Sequence, residues 1–112
     1  MTITIYHNPK CSKSRETLAI IREAGIEPNI IEYLKYPLNV EQITQLITES
    51  GLPVRDAIRT DVDAYQQITP EMSDNDIFAL IAQYPNLLNR PFVSGQKGTK
   101  LCRPPELVNT LL

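Results

Sequence analysis

A thiol and three cationic side chains lie close together near the start of the chain, in the segment His7-Asn8-Pro9-Lys10-Cys11-Ser12-Lys13-Ser14-Arg15. Helical spacing of apolar residues begins at Ser12, so Cys11 is predicted just before or within the first turn of a helix. Unpaired backbone N–H groups and the positive end of the helix dipole stabilise a thiolate there. Such surroundings lower a cysteine pKa from about 8.5 to about 3.5–7.5. The segment therefore predicts a nucleophilic cysteine, beside N–H groups that can hold a tetrahedral oxyanion.

Cys11 has no second cysteine three residues further along, because Ser14 stands at that position. A lone cysteine can form a mixed adduct, but it needs an external thiol or a distant one to resolve it. Cys102, the other cysteine, ends a predicted strand and is interpreted as a packing residue rather than a resolving thiol. The alternative for Cys11 is a small buried core residue, but its polar and basic surroundings favour the functional interpretation.

Charge is unevenly distributed along the chain. Residues 1–22 are net cationic, whereas residues 60–89 contain five acidic residues and neither Lys nor Arg. Cations return at Arg90, Lys97, Lys100 and Arg103. Two cationic segments on a chain of net charge -2 could meet in the fold as one anion-binding site. Uneven scatter in a short sequence explains the same pattern equally well, so charge alone leaves this choice open.

The first third of the chain predicts a strand, a helix and a second strand. Residues 2–6 alternate Thr and Ile, and Pro9 ends this strand because the residue before a proline avoids the helical region. A helix then runs from Ser12 to a C′ residue at Gly25. Its expected buried face comprises Leu18, Ile21 and Ala24. With a strand over residues 29–34, this is a βαβ unit with parallel strands and a right-handed crossover.

The middle of the chain predicts three helices. A capping box of Asn39 and Gln42 begins the first, and Pro53 suits the first position of the second. Ser73 with Asp76 caps the third, which Pro85 ends. The apolar residues expected to pack inward are Val40, Ile43, Leu46, Ile47, Val54, Ala57, Ile58, Ile77, Leu80, Ile81 and Tyr84.

The end of the chain returns to β structure. Residues 91–94 and 99–102 flank a turn over residues 95–98 and predict an antiparallel hairpin. Pro104 and Pro105 can open a last helix, whose expected buried residues are Leu107, Val108 and Leu111. The order βαβ, helices, ββα is typical of an α/β thioredoxin-like fold with a helical insertion. We therefore predict one domain over residues 1–112, with a mixed four-stranded sheet.

Length and composition exclude several classes of protein. The chain has 112 residues, a net charge of -2 and a pI near 5.3, so nothing global indicates nucleic-acid binding. No apolar run approaches the roughly 20 residues that cross a bilayer, and the start does not resemble a signal peptide. One histidine and two cysteines fall short of a zinc-binding set. We therefore expect a small cytoplasmic protein that binds no membrane, nucleic acid or metal.

The motif His-Asn-Pro-x-Cys-x-x-Ser-Arg over residues 7–15 is accompanied by Asn89-Arg90-Pro91, by Leu101-Cys102-Arg103-Pro104 and by the segment over residues 54–59. Together they resemble the glutaredoxin-coupled arsenate reductase family over essentially the whole chain. The resemblance implies that Cys11 is the nucleophile. It implies that the oxyanion is bound by Arg59, Arg90 and Arg103. It also implies a cis proline at Pro91 and supporting roles for His7, Ser14 and Arg15.

The activity implied by this resemblance is reduction of arsenate to arsenite, through a covalent adduct on Cys11. Glutathione would be a co-substrate and glutaredoxin a protein partner, with no bound cofactor. Two alternatives stay open: a redox-sensing transcription adaptor of the Spx type, and a glutathione-dependent thiol reductase with another substrate. The adaptors typically use a Cys-x-x-Cys switch, against which Ser14 argues. Mild oxidation separates the cases, because a sensor forms an intramolecular disulfide whereas a single reactive thiol accepts glutathione.

Overall fold

Four strands form one mixed sheet in the computed structural model, which describes residues 2–112. They are β1 (Thr4–Tyr6), β2 (Asn29–Ile31), β3 (Phe92–Gly95) and β4 (Gly98–Leu101). Their order across the sheet is β2-β1-β3-β4. β1 and β2 are parallel, whereas β3 is antiparallel to both β1 and β4. The predicted βαβ unit, the hairpin and the thioredoxin-like arrangement of the sheet are confirmed.

Three α-helices accompany the sheet: α1 (Ser12–Glu23), α2 (Val40–Ser50) and α3 (Asp74–Gln83). The predicted capping boxes are present, since Asn39 and Gln42 bond reciprocally at the start of α2, as do Ser73 and Asp76 at the start of α3. Gly25 follows the C-cap of α1 with φ 82°, a left-handed conformation that costs glycine little. Local capping signals therefore locate these helix ends well.

Four further helical segments are 3-10 helices: Val54–Ala57, Asp63–Gln67, Pro85–Leu87 and Pro105–Leu111. The predicted last helix takes this tighter form, which corrects the expected burial of Leu107. With three residues per turn, Pro105, Val108 and Leu111 share the buried face, and Leu107 remains 38% exposed. The segments Asp63–Gln67 and Pro85–Leu87 were not predicted, and neither has a side-chain cap.

The sheet lies between two apolar layers. On one face Ile5 and Val93 pack with Ile21 of α1 and Val108 of the last 3-10 helix. On the other face Phe92 packs with residues of α2, α3 and the 3-10 segments, among them Ile43, Ile77, Leu87 and Leu88. Neighbouring residues of β3 thus serve opposite layers, as the two-residue period of a strand requires. These two layers hold the sheet in place, including the edge at which the parallel strands β1 and β2 both end.

Three expectations at element ends are wrong. Ala24 is the exposed C-cap of α1 rather than part of its buried face. Val40 is 43% exposed because, as the first residue of α2, it precedes the face that packs inward. β2 ends at Ile31 rather than at Leu34, and a turn closed by bonds from Lys35 and Tyr36 to the Glu32 carbonyl follows it. That turn leaves Leu34 42% exposed.

Candidate functional site

Cys11 is the N-cap residue of α1, directly after the loop that leaves β1. The backbone of this loop is tied together, since the Cys11 N–H donates to the Asn8 carbonyl at 3.0 Å and Lys10 N–H donates to Asn8 Oδ1 at 3.0 Å. The Arg15 guanidinium donates to the Pro9 carbonyl at 2.9 Å and closes the loop from the outside. These bonds hold the thiol at the point where the free N–H groups of the helix converge.

The pKa of Cys11 is lowered. Burial of the side chain by itself raises the pKa of the thiol, but several contacts outweigh that effect. The backbone N–H groups of Ser14 and Lys13, at the start of α1, and the guanidinium of Arg90 all lower the pKa of the thiol. Each of these favours the thiolate over the thiol. The site therefore contains a thiol that is more acidic than an ordinary cysteine, within the electrostatic reach of Arg90.

We expect iodoacetamide to alkylate Cys11 in the folded protein at a pH below that required by an ordinary thiol. Only the thiolate reacts, so the alkylation rate rises with pH through the cysteine pKa and then levels off. A lowered pKa moves the midpoint of that rise to lower pH. The measurement is the alkylation rate against pH, located by peptide mass spectrometry. Urea-unfolded protein is the control, and equal midpoints in the folded and unfolded states would contradict the assignment.

Cys102 provides an internal contrast. It is fully buried between β4 and the last 3-10 helix, and burial raises its pKa to about 12. A thiol in this state is protonated at neutral pH and inaccessible to reagents, as the packing interpretation requires. Both cysteines are free thiols in the structure. The two cysteines therefore have the same side chain, but the pKa is lowered at Cys11 and raised at Cys102.

His7 and Ser14 form a buried hydrogen-bonded pair beneath the loop. His7 Nδ1 lies 2.6 Å from Ser14 Oγ, which also accepts the Asn8 N–H at 3.0 Å. His7 is 6% exposed and Ser14 is fully buried. Burial lowers the pKa of His7, so the imidazole is neutral at neutral pH. The pair fixes the end of β1 against the first turn of α1, whose N–H groups face the sulfur.

Arg90 reaches the site from the start of β3. The peptide bond between Arg90 and Pro91 is cis, and so is the Arg103–Pro104 bond, which sequence reasoning did not single out. Within residues 2–112, the Nε–H of Arg90 is buried without a hydrogen-bond partner. Arg103 contacts the backbone of Arg90, because its guanidinium donates to the Arg90 carbonyl at 3.0 Å. Arg90 thus carries a buried donor that a bound anion could satisfy.

Arg59 follows the 3-10 helix Val54–Ala57 and is held in place by its own backbone N–H, which donates to the Leu87 carbonyl at 2.7 Å. Its guanidinium binds Asp61 at two points, Nε to Oδ1 at 3.0 Å and Nη2 to Oδ2 at 2.9 Å. These bonds hold the pKa of Asp61 at about 2. The hydrogen bonds to Asp61 and, to a smaller extent, the charge on Cys11 raise the pKa of Arg59, so the thiolate lies within the electrostatic reach of this guanidinium.

Tyr33 and Asn8 belong to the same surroundings, although sequence reasoning gave neither a functional role. Tyr33 is 2% exposed, and Asn8, Arg59, Arg90 and Cys11 all influence its phenol. Because residues 29–34 were predicted as one strand, Tyr33 was interpreted as a strand residue. Its position just after β2 could have indicated a place near the site, because ligand sites in open α/β sheets lie at the carboxyl ends of parallel strands.

Arg59 and Arg90 lie within the electrostatic reach of Cys11, and Arg103 is joined to Arg90 by a hydrogen bond to the Arg90 carbonyl. Arg15 binds the loop instead. Lys13 is exposed and pairs with Glu16 at 3.6 Å, so only its backbone faces the thiol. In the part of the chain described, no three His, Cys, Asp or Glu side chains form a group that could hold a metal ion. Nor does any helix of residues 2–112 have the length and apolar character for a membrane span.

Comparison with known proteins identifies the family of this chain. Residues 6–111 match the ArsC family. An arsenate reductase of Rhizobium meliloti (strain 1021) is 46% identical over 115 positions, which cover 100% of this chain and 82% of the relative. An arsenate reductase of Escherichia coli (strain K12) is 42% identical, with 98% of this chain and 80% of the relative covered.

Solved structures give the same result for the fold. An arsenate reductase from Vibrio cholerae has a TM-score of 0.95 and 40% identity, with 100% of this chain and 98% of that chain covered. An ArsC family related protein from Bacteroides fragilis has a TM-score of 0.86 and 25% identity, with 100% of both chains covered. The match therefore includes the βαβ unit, the helical insertion and the hairpin. This chain belongs to the ArsC family and has its thioredoxin-like fold.

Proposed function

We propose that this protein reduces arsenate to arsenite, with Cys11 as the nucleophile and with glutathione and glutaredoxin as the source of electrons. The names of the relatives at 46% and 42% identity support the substrate. The observation that carries the proposal is the position of Cys11 as the N-cap residue of α1, where helix N–H groups and Arg90 lower its pKa against the opposing effect of burial. A thiolate and anion-binding donors at one place are what attack on an oxyanion requires.

Arginine side chains and backbone donors would bind the oxyanion together. The planar guanidinium pairs at two points with arsenate and retains its charge in a partly buried site. Arg90 offers a buried Nε–H without a partner among the described residues, and Arg59 already presents its fork to the Asp61 carboxylate. Arg103 lies against the Arg90 backbone as the third cation. A bound anion would offset the repulsion among these three charges.

The first chemical step forms a bond between the Cys11 sulfur and arsenic. The thiolate attacks As(V), and one arsenate oxygen leaves as water after taking up protons. No oxidation state changes in this step, so the product is a thiol-linked As(V) ester. The N–H groups of Lys13 and Ser14, which stabilise the free thiolate, then face the oxygens of the adduct.

Reduction requires two further thiols. The glutathione sulfur bonds to arsenic and displaces a second water. A glutaredoxin thiolate then attacks that sulfur, and the electron pair of the sulfur–arsenic bond stays on arsenic. As(V) becomes As(III), while glutathione and glutaredoxin become a mixed disulfide. Water then releases arsenite and restores Cys11. An external resolving thiol suits this chain, because Ser14 replaces a neighbouring cysteine and Cys102 is buried.

His7, Ser14 and Arg15 would act as positioning residues in this scheme. The His7–Ser14 pair fixes the turn whose N–H groups bind the thiolate, and Arg15 fastens the loop at the Pro9 carbonyl. Their effect on the reaction passes through the geometry of Cys11. The cis peptide bond before Pro91 belongs to the same wall of the site, since it sets where Arg90 leaves β3.

The test is arsenate-dependent NADPH oxidation, coupled through glutathione reductase, glutathione and glutaredoxin. We expect turnover that disappears when arsenate, glutathione or glutaredoxin is omitted. Parallel intact-mass measurements after mild oxidation in the presence of glutathione should show the mass of one added glutathione rather than an intramolecular disulfide. Turnover that persists without glutaredoxin would refute the proposed coupling. No turnover in the complete mixture would refute arsenate as the substrate.

A further inference from the structure

Arg59 is held by the backbone against the segment that leads to Arg90. The Arg59 N–H donates to the Leu87 carbonyl at 2.7 Å, and the Asn89 N–H donates to the Ala57 carbonyl at 2.9 Å. Arg90 follows directly and precedes β3, which pairs with β1, the strand that leads into the loop before α1. Hydrogen bonds and strand register therefore place Arg59 next to the residues that carry Arg90 to this end of the sheet.

One edge of the Arg59 guanidinium already binds an anion, the carboxylate of Asp61. Nε donates to Oδ1 at 3.0 Å and Nη2 donates to Oδ2 at 2.9 Å. This pair of parallel N–H groups is the edge through which arginine binds a carboxylate or a tetrahedral oxyanion at two points. The two Asp61 oxygens thus lie where two oxygens of an oxyanion bound through this edge would lie.

The two partners of this ion pair differ in how firmly they are held. The Arg59 side chain is 18% exposed, and its backbone is bonded to the neighbouring segment. The Asp61 side chain is 64% exposed and lies in the connection between the 3-10 helices Val54–Ala57 and Asp63–Gln67. Water competes well for an exposed carboxylate, so turning it away from the guanidinium costs little free energy. Asp61 can therefore leave while Arg59 stays in place.

We propose that the Asp61 carboxylate occupies the anion-binding edge of Arg59 in the free protein and is displaced by the substrate oxyanion. The proposal rests on the function given above, in which Arg59 binds arsenate. While the site is empty, the carboxylate offsets the positive charge of Arg59 and so reduces its repulsion of the other arginines. An oxyanion must compete with this internal anion, and Asp61 thereby weakens its binding.

The test compares Asp61→Asn with the wild type by the protection that oxyanions give Cys11 against iodoacetamide. Arsenate and phosphate are the probes, and the concentration of each that halves the alkylation rate is measured. Asparagine keeps the size of the side chain but removes its charge, so it competes less for the guanidinium. We expect this half-protection concentration to fall roughly fivefold for both probes, the scale of losing one competing ion pair. The KM for arsenate should fall with it, whereas damage to the fold would weaken protection.

Asp63→Asn is the matched control. Asp63 is an exposed carboxylate two residues further along, at the start of the next 3-10 helix. Its replacement removes the same charge without removing the partner of Arg59, so half-protection should stay nearly unchanged. A second control uses the Arg59→Gln background, in which Asp61→Asn should have no further effect because the carboxylate acts through this guanidinium.

An unchanged or raised half-protection concentration in Asp61→Asn would overturn the proposal even if the wild type reduces arsenate. An equal fall in Asp63→Asn would also overturn it, since net charge alone would then explain the gain. So would failure of both oxyanions to protect Cys11 in the wild type and in Asp61→Asn. If the wild type lacks arsenate turnover but Asp61→Asn strengthens protection, the role of Asp61 is upheld and arsenate reduction is not.

Discussion

Cys11→Ser should abolish arsenate-dependent NADPH oxidation, with a fall in kcat/KM on the order of a thousandfold or more. The reason lies in the thiolate, because serine in the same place has an oxygen that stays protonated at neutral pH. The N–H groups of Lys13 and Ser14 and the charge of Arg90 lower the pKa of a thiol, which is then deprotonated more readily near neutral pH. The pKa of a serine hydroxyl is far too high for the same groups to deprotonate it. Serine also forms no sulfur–arsenic bond. The variant should still bind oxyanions, since the arginines and backbone donors remain.

Cys102→Ala is the control for this prediction. Cys102 is fully buried with a pKa raised to about 12, so its removal should reduce stability while turnover persists. The pair of variants therefore separates the reacting thiol from the packing thiol. Retention of more than a tenth of wild-type kcat/KM by Cys11→Ser would rule out the adduct mechanism. Loss of turnover in a folded Cys102→Ala protein would instead identify Cys102 as a resolving thiol.

Features encoded within a few neighbouring residues were predictable. The capping boxes at Asn39 and Ser73, the C′ glycine at residue 25 and the position of Cys11 at a helix start all depend on short-range hydrogen bonds. The hairpin over β3 and β4 likewise follows from its own turn. By contrast, the tertiary packing of a 3-10 helix exposes Leu107, and no local periodicity distinguished that form from an α-helix.

The convergence of the arginines was beyond sequence reasoning, because it depends on strand register. Tyr6 pairs with Phe92, so the residues just before β3 lie beside the loop that follows β1, and this places Arg90 near Cys11. The uneven charge pattern agreed with such a meeting but did not require it. Tyr33 lies outside β2, because β2 ends at Ile31 and the chain then turns.

Arg90→Gln should lower kcat/KM for arsenate about 10²- to 10³-fold, the range typical of losing one donor that stabilises developing charge. Two effects combine in this loss. The Arg90 guanidinium lowers the pKa of Cys11, so its removal raises that pKa and reduces the thiolate fraction at neutral pH. The oxyanion also loses a two-point donor. Alkylation of Cys11 against pH measures the first effect, and oxyanion protection measures the second.

Arg90→Lys distinguishes charge from shape at the same position. Lysine keeps a positive charge but lacks the planar fork and the Nε–H that lies buried in the described chain. We therefore expect it to restore most of the lowering of the Cys11 pKa, while oxyanion protection stays weak. Arg22→Gln is the control, since it removes a cation from an exposed pair with Glu27 and should leave both measurements unchanged. Full recovery of kcat/KM by Arg90→Lys would mean that Arg90 acts as a charge alone, and that two-point binding of arsenate is wrong.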